Sequence, residues 1–161
     1  MVETYAQPSE RLTFSTTIGT GISMSTPSYT PFCWQFIGHY HINKRFSAGI
    51  GTGLSFYEKA LVPLFIDAKF NITKPQKFTP FLECGVGYSF APDKNASGGF
   101  YFHPSIGMQY SIHNNKSLFV AIGYELQELK RLKEYENTLF TAEFEEKISH
   151  NLLSLKCGII F

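Results

Sequence analysis

The chain has 161 residues and a formal net charge of +1, and aromatic residues make up 16% of it while charged residues make up 17%. This length suits one domain, and the small net charge gives no basis for a nucleic-acid partner. The charged fraction lies below the roughly 25% of soluble domains, yet no run of about 18 apolar, uncharged residues is present to form a transmembrane helix.

Eight segments alternate apolar residues with small or polar ones, which is the period-two pattern of a half-buried β-strand. In chain order, the segments cover residues 12–24, 32–43, 46–56, 62–72, 80–90, 100–112, 118–127 and 152–161. Helical spacing fits none of these segments as well. In every segment one parity is bulky and apolar, whereas the other is mostly Gly, Ser and Thr with a few polar groups.

The volume of the two parities decides which one faces inward. An eight-stranded barrel has an interior just wide enough for side chains to fill. The bulky parity, which includes Trp34, is too large for that lumen, and an apolar exterior is stable only in lipid. We therefore predict an all-β fold, a closed antiparallel eight-stranded transmembrane β-barrel formed by residues 1–161 as a single domain. A soluble, lipocalin-like ligand binder with a polar exterior is the alternative.

The connections between the segments are short on one side and long on the other. The short turns are predicted at residues 43–44, 73–77 and 113–116, and the longer links around residues 26–31, 91–99 and 128–147. This asymmetry is typical of outer-membrane barrels and places both termini in the periplasm, with residues 1–10 as a periplasmic segment. The link at residues 58–60 departs from the rule because it is short on the long side.

The 128–147 stretch allows two interpretations. Leu126, Leu129, Leu132 and Tyr135 recur every three residues, and Lys130 lies four residues before Glu134, which favours a helix. The two flanking strands extending beyond the membrane as a protruding hairpin would fit the same residues. The sequence leaves both alternatives open.

The segment Arg45–Phe90, with its strands GIGTGLSF, VPLFIDAKF and TPFLECGVGYSF, resembles the small outer-membrane β-barrel proteins of Gram-negative bacteria, broadly OmpA/OmpX-like. The likeness extends from Leu12 over nearly the whole chain and rests on the repeated strand pattern more than on invariant residues. It implies a location in the bacterial outer membrane, contact with outer-membrane lipid, and insertion by the outer-membrane assembly machinery. The end of the chain is similar to the signal that this machinery reads, with Lys156, Gly158 and Phe161 in a version compressed by two residues.

The cysteines and two histidines are weak candidates for metal ligands. Cys33, Cys84 and Cys157 each lie inside a strand-like segment, so we interpret them as small apolar residues rather than as a disulfide framework or a metal site. His39 and His41 share one face of a strand, as two metal ligands do, but the sequence offers no third ligand. We therefore predict no metal and no cofactor, and we assign both histidines to the lumen as polar residues.

His103-Pro104-Ser105 is the one motif that suggests an enzyme. Outer-membrane lipid A deacylases use a His-x-Ser pair with an acidic partner, and Ile106 stands here where those enzymes have Asn. Both His103 and Ser105 have lumen parity, away from a lipid substrate. A catalytic triad also requires geometry and not spacing alone, so we predict no catalytic residues and keep a lipid-modifying enzyme as an alternative.

Six charged residues have lumen parity, three of each sign: Arg11, Asp67, Lys69, Glu83, Glu125 and Lys156. Because buried charges must be paired, we predict that they form an ion-pair network that plugs the barrel, next to the polar residues His39, His41, His103 and Gln109. Eight strands leave no channel once such side chains are packed. We expect a non-enzymatic protein with a structural or surface-interaction role, whose outer loops would contact an extracellular ligand. A narrow solute channel is the remaining alternative.

Overall fold

The computed structural model describes residues 11–24, 30–57, 60–92, 94, 96–137 and 140–161, with the backbone alone between residues 131 and 145. The described part of the chain contains nine β-strands. They are β1 (Leu12–Ser23), β2 (Phe32–His41), β3 (Phe46–Phe56), β4 (Ala60–Asn71), β5 (Phe78–Phe90), β6 (Ala96–Ser97), β7 (Phe100–Ser111), β8 (Ser117–Asn137) and β9 (Phe140–Ile160). The described residues include no helix long and apolar enough to cross a membrane.

Eight of these strands close into a barrel. β1 to β5 and β7 to β9 pair antiparallel in order around the sheet, and β9 pairs with both β8 and β1. β6 adds only two residues, which pair with Lys130 and Arg131 at the edge of β8. The prediction of a closed eight-stranded antiparallel barrel is therefore confirmed.

The two parities of the strands face opposite sides of the barrel wall, as the volume argument predicts. Trp34 is 49% exposed and Ile66 is 68% exposed on the outer face, although both are large and apolar. Ser55, Ser89 and Glu125 point inward and are fully buried. An exterior of this kind is the reverse of the polar surface of a soluble barrel, and it is stable in lipid rather than in water.

The barrel has two unlike ends, which we name by their connections. The terminal end carries the start of β1, the end of β9, and the turns between β2 and β3, β4 and β5, and β7 and β8; the far end carries the remaining connections. The turn between β7 and β8 is made by Asn114 and Asn115, whose φ angles are 64° and 59°. Asparagine tolerates this left-handed region, and two such residues in succession form the tight hairpin turn that matches strand twist.

The 128–147 stretch is a hairpin and not a helix. β8 and β9 each have 21 residues, whereas the other six barrel strands have 10 to 13. Their pairing runs without interruption from Ser117↔Ile160 to Asn137↔Phe140. The second of the two open interpretations is therefore the observed one.

Large lumen side chains alternate with glycines around the barrel. One row of paired residues runs Ile37↔Gly51↔Phe65↔Gly87↔Tyr101 across five neighbouring strands. The three large residues form a buried apolar cluster, and a Cβ at Gly51 would lie 2.3 Å from Cζ of Phe65. The glycines therefore provide the space that lets aromatic rings fit inside so narrow a barrel.

Candidate functional site in the barrel lumen

The first group of lumen residues surrounds Lys156 on β9, and we call it the Lys156 cluster. The Lys156 ammonium donates to Oε1 of Gln35 at 2.8 Å and to the hydroxyl of Tyr101 at 3.5 Å, and it lies 3.6 Å from Oε2 of Glu125. Gln35 also donates to the Tyr101 hydroxyl at 2.9 Å. Tyr57, just beyond β3, donates its hydroxyl proton to Oε1 of Glu125 at 2.6 Å. Lys156 therefore contacts residues of three other strands, and Tyr57 joins the cluster through Glu125.

The Lys156 cluster holds a buried ion pair. The Lys156 side chain is 5% exposed and the Glu125 side chain is fully buried. Oε2 of Glu125 accepts no hydrogen bond among the described residues. The positive charge of Lys156 therefore compensates the negative charge on that oxygen. A buried carboxylate left without such a partner is strongly destabilising.

The second group comprises His39, Asp67 and Glu83, on β2, β4 and β5, and we call it the His39 cluster. Nε2 of His39 lies 2.6 Å from Oδ2 of Asp67, with both side chains nearly inaccessible to solvent. One ligand-type atom from each of the three residues lies within 4.8 Å of the other two. Glu83 is partly exposed, whereas His39 and Asp67 are buried.

Lys69 and His41 lie nearer the terminal end of the lumen. The Lys69 ammonium donates to Oε1 of Gln109 at 3.1 Å and sits 4.1 Å from the centroid of the Phe81 ring. Cation–π contact of this kind stabilises an ammonium that has left water. Nε2 of His41 lies 3.0 Å from the hydroxyl of Thr13. His39 and His41 therefore have separate partners and do not act as a pair of ligands.

The structure divides the predicted ion-pair network. Glu125 and Lys156 belong to one cluster, Asp67 and Glu83 to the other, and Lys69 bonds to Gln109. Arg11 precedes β1 and is exposed at the terminal end, so its placement among the lumen charges is corrected. The reason is that Arg11 lies at the rim of the barrel, where its carbonyl still accepts from the backbone N–H of His41 but its side chain is exposed to water.

His103 does not pair with Ser105. Its Nε2 lies 3.0 Å from the hydroxyl of Ser154 on β9, and Ser154 donates to the carbonyl of Gly123 at 3.2 Å. The Ser105 hydroxyl has no hydrogen-bond partner among the described residues. The His-x-Ser spacing that suggested a deacylase-like enzyme therefore does not produce the expected nucleophile and base.

The three residues of the predicted assembly signal occupy different surroundings. Lys156 is in the lumen, and Gly158 packs so closely that a Cβ there would lie 2.3 Å from the carbonyl oxygen of Thr16. Phe161 is 49% exposed on the outer face. Its backbone exchanges two hydrogen bonds with Phe14, at 2.8 and 2.9 Å, which ties the end of the chain to β1. The recognition of these residues by an assembly machinery stays a prediction.

Several residues of the lumen clusters were not predicted as site residues. Gln35 and Tyr101 have lumen parity and hydrogen-bonding groups, so these two features together could have identified them as site residues. Tyr57 follows the end of β3, where alternation no longer applies, and nothing in the sequence links it to Glu125. Cys33, Cys84 and Cys157 are all free thiols in the structure.

Solved structures with the same architecture include Neisserial surface protein A (NspA), with a TM-score of 0.67, 12% identity, and coverage of 94% of this chain and 96% of that chain. The outer membrane protein AlkL, solved in DMPC bilayers, matches with a TM-score of 0.62 at 12% identity, over 100% of this chain and 96% of that one. A de novo designed transmembrane β-barrel matches with a TM-score of 0.56 at 13% identity, over 92% and 93%. No protein-family model and no curated protein sequence matches the chain. At these identities the likeness concerns the fold, and the chain has the fold of the outer-membrane β-barrels.

Proposed function

We propose that this chain is an integral protein of the bacterial outer membrane, with its termini in the periplasm and a lumen that is closed to solutes. Its role is structural or one of surface interaction, carried by the far end, and it has no catalytic activity. The observation that carries this proposal is that buried side chains fill the lumen in successive layers from the terminal end to the far end.

Three apolar layers support a closed lumen. Near the terminal end, the rings of Phe81 and Phe119 meet edge to face with centroids 5.9 Å apart. The cluster of Ile37, Phe65 and Tyr101 forms the middle layer. At the far end, a third buried cluster is formed by Leu61, Ala96 and Leu129. The Lys156 and His39 clusters fill the space between the layers, which leaves little room for a solute in an eight-stranded barrel.

The far end also carries the surface best placed for contact outside the membrane. Beyond Arg131, β8 continues to Asn137 paired with β9 among the described residues. At about 3.4 Å per residue in an antiparallel strand, these six residues extend the hairpin by roughly 20 Å. A two-stranded projection of this length would present its backbone to an external partner.

Conductance measurements test the closed lumen. The refolded protein in planar lipid bilayers should give no discrete openings, because the middle layer blocks the lumen. The double variant Phe65→Ala with Tyr101→Ala removes two rings from that layer, whose centroids are 5.2 Å apart, and should give small, regular openings.

The matched control removes bulk from the outer face instead. Leu64→Ala with Tyr88→Ala changes two residues that are 50% and 44% exposed to the lipid side, and it should leave the bilayer silent. Discrete conductance in the unmodified protein would contradict the closed lumen and would favour the narrow solute channel.

A further inference from the structure

The His39 cluster has the composition and spacing of a metal site. We propose that His39, Asp67 and Glu83 bind one divalent transition-metal ion of the zinc class inside the lumen. His39 lies two residues from the terminal end of β2, Asp67 four residues from that of β4, and Glu83 five residues from that of β5. The site therefore lies in the terminal half of the barrel, where an ion would brace three strands from within.

The distances need only a small adjustment to accept an ion. In a tetrahedral site with bonds of about 2.0–2.1 Å to nitrogen and oxygen, neighbouring ligand atoms are about 3.3 Å apart. Nε2 of His39 and Oδ2 of Asp67 are 2.6 Å apart, so they must separate by less than about 1 Å. The ligand atom of Glu83 lies within 4.8 Å of both, so only the excess over that ligand spacing has to be closed. Rotation of a half-buried glutamate side chain supplies that movement.

The backbone around the cluster leaves room for the side chains to converge. Asp67 lies opposite Gly49 on one side and opposite Gly85 on the other. Gly49 also lies opposite His39, so the imidazole reaches Asp67 across a residue without a side chain. A Cβ at Gly85 would stand 3.5 Å from Oδ1 of Asp67 and would fill the remaining side of the carboxylate.

The charge of the cluster favours a cation. Two carboxylates share this space, and among the described residues no lysine or arginine nitrogen lies within ion-pair distance of either one. Lys69 stands opposite Glu83 in the strand register, but its ammonium bonds to Gln109 and the Phe81 ring. Lys156 is engaged with Glu125. Carboxylates that have left water need compensation. His39 provides a partner for Asp67 alone, whereas a divalent ion would compensate both carboxylates.

The ligand set selects the class of ion. Calcium and magnesium prefer oxygen ligands throughout, and calcium takes six to eight of them, so a set that includes an imidazole suits neither ion well. Imidazole nitrogen favours zinc, copper, nickel and iron over those hard cations. Three protein ligands also leave a fourth position for a water molecule, which the partial exposure of Glu83 allows.

Titration of the refolded, tag-free protein in detergent micelles with zinc chloride tests the site. We expect one zinc ion per chain by isothermal titration calorimetry, and a visible d–d absorption band when cobalt(II) replaces zinc. Glu83→Gln and Asp67→Asn should each weaken zinc binding by at least about tenfold, because changes even in the partners of metal ligands have effects of that size. Glu83→Gln carries the test if Asp67→Asn does not fold, because its side chain is only half-buried.

His103→Gln is the matched control, since it removes another lumen histidine that bonds to Ser154 and not to the cluster. It should bind zinc as the unmodified protein does, with the same cobalt spectrum. The proposal is overturned if the folded, unmodified barrel binds none of zinc, cobalt or nickel. It is equally overturned if both cluster variants bind zinc unchanged, or if His103→Gln is the variant that loses the ion.

Discussion

Two lysine–glutamate pairs in this chain share their chemistry but differ in their surroundings. Lys156 and Glu125 are 3.6 Å apart in the lumen with side chains 5% and 0% exposed. Lys147 and Glu128 are 3.0 Å apart at the far end with side chains 59% and 24% exposed. The exposed pair has the shorter distance, yet water and salt screen its attraction. Burial and not distance therefore decides which pair matters for stability.

Lys156→Met should destabilise the barrel strongly. The substitution leaves Glu125 buried without its cation, and breaking a buried pair from one side typically costs about 3–5 kcal/mol. The control, Lys147→Met, makes the same substitution at an exposed pair and should lower the free energy of unfolding by at most about 1 kcal/mol. Urea unfolding of the protein refolded in lipid vesicles measures both free energies.

A double-mutant cycle shows whether Lys156 acts through Glu125. Glu125→Gln keeps an acceptor for the Tyr57 hydroxyl while removing the negative charge. The double variant Glu125→Gln with Lys156→Met should then lose less stability than the sum of the two single variants. Additive losses would mean that the two charges do not interact and that the Lys156 cluster is held together by its neutral hydrogen bonds.

The elements of the barrel differ in how far the sequence could predict them. Period-two alternation predicted the eight barrel strands because each strand has one lipid face and one lumen face. The sequence of the outer part of β8 and β9 does not continue this alternation, and a three-residue spacing is equally compatible with it. The pairing that makes it a hairpin joins residues across a turn, and single-strand patterns carry no information on such pairing.

The outer part of the hairpin should be dispensable for the barrel. Replacing residues 133–144 with Asn-Gly leaves the pair Leu132↔Glu145 to close a two-residue turn, which this dipeptide favours. The pairs of β8 with β6, β7 and the remainder of β9 are all retained. We expect the shortened chain to refold and to unfold at the same urea concentration.

The measurement for the shortened chain is heat-modifiable migration on a gel, followed by the urea midpoint in vesicles. A control with Asn-Gly replacing residues 125–152 removes Glu125 and several pairs of the barrel wall, and it should prevent folding. The lost pairs include Phe102↔Leu126 between β7 and β8 and Ser23↔Leu152 between β1 and β9. Failure of the shorter deletion to fold would show that the outer hairpin is part of the folding unit rather than an appended projection.

At the scale of the whole molecule, the sequence determines which face each residue occupies but not which residue it meets inside. Counting from the terminal ends of their strands places Lys156 level with Glu83. In the structure, the row of paired residues from Glu83 passes through Ser105 and Gly123 to Ser154, because neighbouring strands are staggered. Lys156 instead lies 3.6 Å from Glu125. Ser154, which shares this row with Ser105, is the serine that lies beside His103.

Because the whole exterior of the barrel is apolar, the cost of a charge on it should depend on its depth in the lipid. Ile106 is 55% exposed near the middle of β7, so Ile106→Lys places a charge near the middle of the lipid band and should cost about 2–4 kcal/mol. Ile112 is 45% exposed just past the end of the same strand, and Ile112→Lys, close to the headgroups, should cost no more than about 1 kcal/mol. Urea unfolding in vesicles measures both. Equal costs would show that the exterior does not experience a depth-dependent lipid environment, and the transmembrane orientation of β7 would be wrong.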